Sequence, residues 1–323
     1  MSLIKPTRRD LLRLAAVAPA FAAMPAAARA AVLSAPGASN PAHFRFDLGA
    51  AKVTIVSDGY FTIPMAGQAM NAPEDEKLAF LAAHYQDAEV GYSHTNHLYV
   101  ELGEAKVLVD VGSGSRFADT AGRLMANLDA AGIDPAGITH VVITHAHPDH
   151  IWGIRDDFDE PILPDAEYVI GAQEYDWWMQ DGLVDRVNPA EQQMVVGAVN
   201  SLTADGLEWT MAGEGHEVAP GIRLVATPGH TPGHMSVMVE SDGQALIALG
   251  DAMSSTWLNF AHPEWFNGFD HDGDLTVKTR LRLMDMVATD RIAVLGYHFP
   301  FPGVGHVMRR DAAFEFVPAL WQF

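Results

Sequence analysis

The apolar run HVVIT (140–144) leads directly into HAHPDH (145–150), so four ligand-type side chains stand at the tip of one short strand. Side chains alternate along an extended chain, which puts His145 and His147 on the same side. Pro148 then turns the backbone, and Asp149 and His150 fall at the start of a short helix. As half of a metal site this motif constrains the fold, because other segments must bring the remaining ligands to the same point. The alternative is a solvated loop that happens to be rich in histidine. Three later strand-to-loop transitions favour the metal. GIRLVATPGHTPGH offers His230 and His234, ALIALGD ends on Asp251, and IAVLGYH ends on His298. The chain has no cysteine, which excludes disulfides, thiolate zinc sites and cysteine nucleophiles. Any metal must then be held by His, Asp and Glu.

Hydrophobic periodicity fills in the frame. FRFDLGAAKVTIVSDG (44–59) predicts a hairpin broken at Gly49-Ala50, and NHLYVEL with KVLVDVG predicts a second, turning at Gly103-Glu104. Between them, residues 64–93 read as a long loop with a short helix around EDEKLAFLAAHY. RFADTAGRLMANLDAAG predicts a helix over 116–132 that ends on a glycine. The second half repeats the rhythm: a strand in AEYVIG, helices over 172–181 and 188–201, and strands in GIRLVATPG, MSVMVES and QALIALGD. An amphipathic helix over 274–290 and a buried strand in RIAVLGY follow. Two ββαβ-like halves imply two packed sheets with helices outside them, in one α/β domain.

The first 30 residues stand apart. Paired arginines, Arg8 and Arg9, precede the apolar run LAAVAPAFAAMPAAA and the small-x-small pattern Ala28-Arg29-Ala30. This reads as a twin-arginine-type export signal over 1–30, with the domain over 31–323 and a periplasmic or secreted location. The net charge of −21 becomes about −25 when residues 1–30, with five basic residues and one acidic, are removed. Such a charge repels nucleic acid and anionic membranes.

These motifs resemble the metallo-β-lactamase superfamily, whose αββα sandwich carries an H-x-H-x-D-H motif, over nearly the whole chain after residue 30. The resemblance implies two divalent metal ions, zinc foremost, with manganese, cobalt or iron as alternatives. It assigns His145, His147 and His230 to the first ion, Asp149, His150 and His298 to the second, and Asp251 to both. His234 then becomes a supporting residue, and Asp110 in VLVDVG matches the family's early aspartate, which orients ligands. Within the superfamily, SDGYFTIPM, THAHPDH, GHTPGH, LGD and HFPFPGVGH followed by FEFVPA are similar to methyl parathion hydrolase and quorum-quenching lactonases. True β-lactamases lack a bridging aspartate, glyoxalase II-type thioesterases add a helical C-terminal domain, and ribonuclease-type members need a basic surface. The likeness also implies a possible homodimer.

The implied activity is hydrolysis of a lactone, ester or organophosphate triester. Two ions roughly 3.5–4 Å apart share a water and turn it into a bridging hydroxide at neutral pH. No G-x-S-x-G elbow offers a serine alternative. The resemblance implies Asp251 and Asp149 as the catalytic carboxylates, with Asp149 accepting a proton; Asp149, water or Tyr297 would protonate the leaving group. Trp177, Trp178, Trp257, Phe260, Trp265 and Phe266, with Met65 and Met70, predict an apolar pocket for a small neutral substrate. The alternatives are β-lactam or thioester hydrolysis on the same fold, or a non-catalytic metal-binding protein. A missing ligand would mark the last, and none is missing.

Overall fold

The computed structural model describes residues 40–189 and 191–320. The export stretch over 1–30 and the boundary at residue 31 lie outside the described residues. The first hairpin forms where the alternation predicts it, with β1 (His43–Leu48) antiparallel to β2 (Ala51–Pro64). β2 does not stop at Gly59, however, but pairs on with β3 (Val90–Leu102) as far as Pro64 opposite Val90. The register shifts between Ser57 and Gly59, a bulge at Asp58. A bulge changes which face the following side chains meet, so the strand signal breaks there in the sequence. The expected loop over 64–93 therefore contracts to the segment between β2 and β3 that carries α1 (Glu74–Ala83).

β4 (Ala105–Val109) closes the second predicted hairpin with β3. The helix expected over 116–132 is only α2 (Leu124–Ala130). The preceding residues wrap around the buried Asp58 carboxylate, which accepts hydrogen bonds from the Ser113 and Gly122 amides and, at 2.7 Å, from Leu124 N. A side chain from a distant strand thus replaces the first turns of helix.

β5 (His140–Ile143) follows, then the short α3 (Pro148–Ile151), β6 (Glu167–Gly171), α4 (Ala172–Trp178), α5 (Leu183–Arg186), α6 (Gln192–Leu202) and β7 (Trp209–Ala212). Together β1 to β7 form a seven-stranded sheet in sequential order. The second sheet, also seven-stranded, runs from β8 (Glu217–Ala219) through β9 (Ile222–Ala226), β10 (Met235–Ser241), β11 (Gln244–Ala248), β12 (Ala293–Leu295) and β13 (Val304–Arg310) to β14 (Ala313–Pro318). Between β11 and β12 the chain forms α7 (Leu258–Ala261) and α8 (Gly273–Asp290).

Three apolar layers make this a sandwich with helices outside, the αββα arrangement. Val53, Leu98 and Val107 from the first sheet meet Leu224, Val237 and Leu246 from the second in the middle layer. Leu128, Val141 and Ile170 pack on the outer face of the first sheet with Val195 and Ala198 of α6, and Leu283 and Val287 of α8 cover the second. β9 and β11 are both antiparallel to β10, and β12 is parallel to β11. The loops after these three strands therefore leave the sheet at the same edge, which is how His230, Asp251 and His298 come together. Among the described residues no helix is long and apolar enough to cross a membrane.

Candidate metal centre

The four motif residues meet the three strand-end residues in one buried cluster. His147 Nδ1 lies 3.1 Å from His145 Nε2 and 2.9 Å from His230 Nε2. Asp251 Oδ2 is 3.2 Å from His230 Nε2 and 3.0 Å from His298 Nε2, while its Oδ1 is 3.3 Å from His150 Nε2. Asp149 Oδ2 completes the set, 3.4 Å from His150 Nε2 and 3.5 Å from His298 Nε2. Three groups can each surround one ion, their ligand atoms within 4.8 Å of one another: His145, His147 and His230; His145, His150 and Asp251; Asp149, His150 and His298.

The donor chemistry fits divalent cations. Asp149 Oδ2, His150 Nε2 and Asp251 Oδ1 are buried without a hydrogen-bond partner, although they lie close to one another. Orphaned buried polar atoms are costly unless something satisfies them. Burial holds the His145 imidazole well below its ordinary range and pushes His147 down to about 3. At Asp251 burial opposes ionisation, yet His298, His150 and His230 outweigh it and hold the carboxyl well below the usual range. Burial also acts downward on His150, where Asp149, Asp251 and Asp110 reverse it and raise the imidazole well above its ordinary value. Neutral imidazoles and ionised carboxylates are the forms that bind metals, and the protons on such a histidine leave as an ion enters.

Buried hydrogen bonds hold the cluster from behind. Asp110, in the left-handed region at φ 60°, accepts from Thr144 N at 2.7 Å and Thr144 Oγ1 at 2.9 Å, with His150 Nδ1 at 2.8 Å. It thereby fixes the His150 ring with Nε2 facing Asp149 and Asp251. His234 also supports: its Nε2 accepts from Asp251 N at 3.0 Å, and its Nδ1 faces Thr227 Oγ1 at 2.7 Å. Gly250 makes this possible, since at φ 53° a Cβ there would lie 2.6 Å from the His234 ring. On the far side, Asp270 Oδ1 is 2.9 Å from His230 Nδ1, and Ser93 Oγ is 2.7 Å from His298 Nδ1. The Tyr297 hydroxyl donates to the Asp149 carbonyl at 2.6 Å and lies 3.0 Å from His97 Nε2. Tyr297 is buried and does not line the cavity, so the structure does not offer it as a leaving-group donor.

Glu174 has no counterpart in the sequence reading. Its fully buried carboxylate accepts from Ala146 N at 3.1 Å, Trp178 Nε1 at 2.6 Å, Thr231 Oγ1 at 2.6 Å and Gly233 N at 3.0 Å. One side chain thus fastens both histidine loops and a wall of the cavity. Each buried donor left without an acceptor costs roughly 1–3 kcal/mol. With partial relaxation and water replacing some of the lost acceptors, we expect Glu174→Ala to cost about 3 kcal/mol in all and so to lower the melting temperature by about 6–12 °C, some 2–4 °C per kcal/mol. A thermal melt unchanged within a degree or so would show that the loops hold without it.

The cluster forms the floor of a cavity of about 200 Å³ whose apolar walls include Phe61, Ile63, Phe117, Trp177, Trp178 and Phe269. Among the described residues no Lys or Arg lines it. Of the aromatic residues singled out in the sequence, Trp177 and Trp178 line this cavity. Trp257, Phe260, Trp265 and Phe266 are not in the lining. Phe260 is buried against Phe299 and Phe316, with centroids at 5.8 and 5.7 Å. Trp257 and Trp265 pack on Phe80 of α1, each at 5.9 Å, and Trp265 stacks on His262 at 3.7 Å. Phe266 packs on Gly273 at the start of α8. Met65 is buried, Met70 is 54% exposed, and neither lines the cavity. Apart from Met70, these side chains bury apolar area against other parts of the chain, which the loop's own residues do not reveal.

Known proteins resemble this chain to different extents. An N-acyl homoserine lactonase from Bacillus cereus is 36% identical over 83 residues, which is 26% of this chain and 32% of that protein. One from Bacillus thuringiensis is 34% identical over the same length. The match spans about a third of these relatives. Among solved structures, AidC, a dizinc quorum-quenching lactonase in complex with a product, superposes with a TM-score of 0.81 at 25% identity, covering 88% of this chain and all of that one. The hydrolase AbOPH, of the β-lactamase superfamily, gives 0.80 at 24% identity with the same coverage. The metallo-beta-lactamase superfamily profile matches residues 90–283, a span that contains the HAHPDH motif, His230 and Asp251. With the sandwich and the edge cluster in place, the chain belongs to the metallo-β-lactamase superfamily.

Proposed function

We propose that the chain is a two-metal hydrolase of neutral lactones, esters or phosphotriesters, with a lactone the leading substrate. The observation that carries this is the convergence of three unpartnered ligand atoms, on Asp149, His150 and Asp251, of which Asp149 and Asp251 line an apolar cavity. His145, His147 and His230 would hold one ion, Asp149, His150 and His298 the other, and Asp251 both. A divalent pair, when bound, acidifies water and polarises the acyl or phosphoryl oxygen. Asp149 lines the cavity and is placed to take up the proton that the attacking water loses. Phe61, Phe117, Trp177 and Trp178 exclude bulk water and receive an apolar substituent. The names of the lactonase relatives support the lactone over the triester. A β-lactam or a glutathione thioester carries carboxylates, and a cavity wall without Lys or Arg speaks against both. Export by the stretch around Arg8 and Arg9 belongs to the same proposal and rests on the sequence pattern alone.

The test is kcat/KM on an acyl-homoserine lactone and on a methyl phosphotriester, side by side, with and without chelator. We expect chelator-sensitive turnover and a lactone preference of about a hundredfold, the scale on which a pocket separates substrates. The reverse preference would make the chain a phosphotriesterase, and chelator-insensitive or absent turnover on both would reject the substrate class.

A further inference from the structure

We propose that the Ser93 hydroxyl donates a hydrogen bond to the substrate, seating the carbonyl oxygen of the scissile lactone or ester group beside His298. This deepens the hydrolase reading and rests on it.

Ser93 sits on β3 opposite Phe61 of β2, is 5% exposed and lines the cavity. Its Oγ is 2.7 Å from His298 Nδ1. The same Nδ1 is 2.8 Å from the His94 carbonyl oxygen. A carbonyl oxygen only accepts, so Nδ1 must carry the ring hydrogen, whatever occupies the other side of the imidazole. That hydrogen is shared between the His94 carbonyl and Ser93 Oγ, which makes Ser93 an acceptor toward His298. The hydroxyl's own hydrogen is then left over. Among the described residues no other hydrogen-bond partner lies within reach of Ser93 Oγ. A nearly buried donor without an acceptor carries a penalty that a ligand oxygen would remove. The surrounding wall is Phe61, Ile63 and Phe117, which offer a substrate contact but no direction. A few polar groups in an otherwise apolar lining fix a ligand's orientation, and on this side of the cavity Ser93 is the one set among Phe61, Ile63 and Phe117. His298 Nε2, 3.0 Å from Asp251 Oδ2, points the opposite face of the same ring at the metal cluster. An oxygen held by Ser93 is therefore held one imidazole's width from Asp251, inside the cavity that Asp251 also lines.

The test compares the full-length, metal-loaded wild type with Ser93→Ala and Ser93→Thr. Affinity is measured by calorimetry for two unreactive ligands with the same acyl chain: the γ-lactam analogue of the lactone, which keeps the ring carbonyl, and the cyclopentyl analogue, which lacks it. Metal content is measured on each protein. Losing one neutral hydrogen bond weakens binding roughly two- to tenfold. We expect Ser93→Ala to show that loss for the lactam alone, with two ions retained, and Ser93→Thr to restore it. Equal weakening toward both ligands would make Ser93 a mere wall, and loss of metal in Ser93→Ala would make it only a prop for His298; either overturns the proposal. If the wild type binds neither ligand and turns over no lactone, the hydrolase reading itself fails, and the proposal with it.

Discussion

Asp251→Ala is expected to hold fewer than two metal ions per chain and to lose on the order of a thousandfold in kcat/KM. No other side chain in the cluster reaches so many of the rest. Its Oδ2 is 3.2 Å from His230 and 3.0 Å from His298, and its Oδ1 is 3.3 Å from His150. These three imidazoles belong to both proposed ion positions, so truncation removes a ligand from each. It also removes a negative charge that faces the three imidazoles and that, in the proposed two-metal site, would help to balance two dications. Asp251→Asn separates shape from charge, keeping one oxygen while losing the net charge. Elemental analysis of the purified protein, set beside turnover, decides the matter. Two ions per chain with an unimpaired rate in Asp251→Ala would rule out the shared role.

Asp110→Asn should fold and yet bind metal poorly. Asparagine tolerates the left-handed backbone at φ 60°, and its oxygen can still accept from Thr144 N. The amide NH₂ group then faces His150 Nδ1, where the carboxylate oxygen stood at 2.8 Å. Two donors cannot face each other, so the imidazole shifts its hydrogen to Nε2, the atom that meets Asp149 and Asp251. The ring keeps its place but offers a hydrogen where a lone pair is needed. Loss of such a supporting contact lowers metal affinity about 10–100-fold. Turnover at limiting metal should fall with it and recover in excess metal, while the melting temperature of the metal-free protein moves by only a few degrees. Wild-type metal affinity in a folded Asp110→Asn protein would show that Asp110 does not set the His150 tautomer.

The legible parts of this protein are those whose signal is local. HAHPDH is contiguous, so alternation and one proline suffice to place its side chains. Asp251 and His298 could be found because each closes an apolar strand, and the parallel run of β9, β11 and β12 then brings them to one edge. The illegible parts depend on pairings between distant segments. Asp58 starts α2 from another strand, and the bulge it sits in hides the half of β2 that carries Phe61 and Ile63 to the cavity. Trp257 and Trp265 look like pocket residues until α1 supplies Phe80 to cover them. Glu174 and Asp270 belong to no motif. The one available hint for Glu174 was its place four residues before Trp178 on a helix, which puts both on one face.

The candidate ligands divide between the sheets. His145, His147, Asp149 and His150 follow a strand of the first, and His230, Asp251 and His298 follow strands of the second. Neither half of the chain contains a complete site, so an ion taken up there clasps one half to the other across the seam. Binding that requires the assembled seam adds its free energy to the cohesion of the whole sandwich, growing with the logarithm of free ion concentration. The resistance of this fold to heat is then partly a property of its surroundings: the same chain would be sturdy in a metal-rich medium and loose in a starved one.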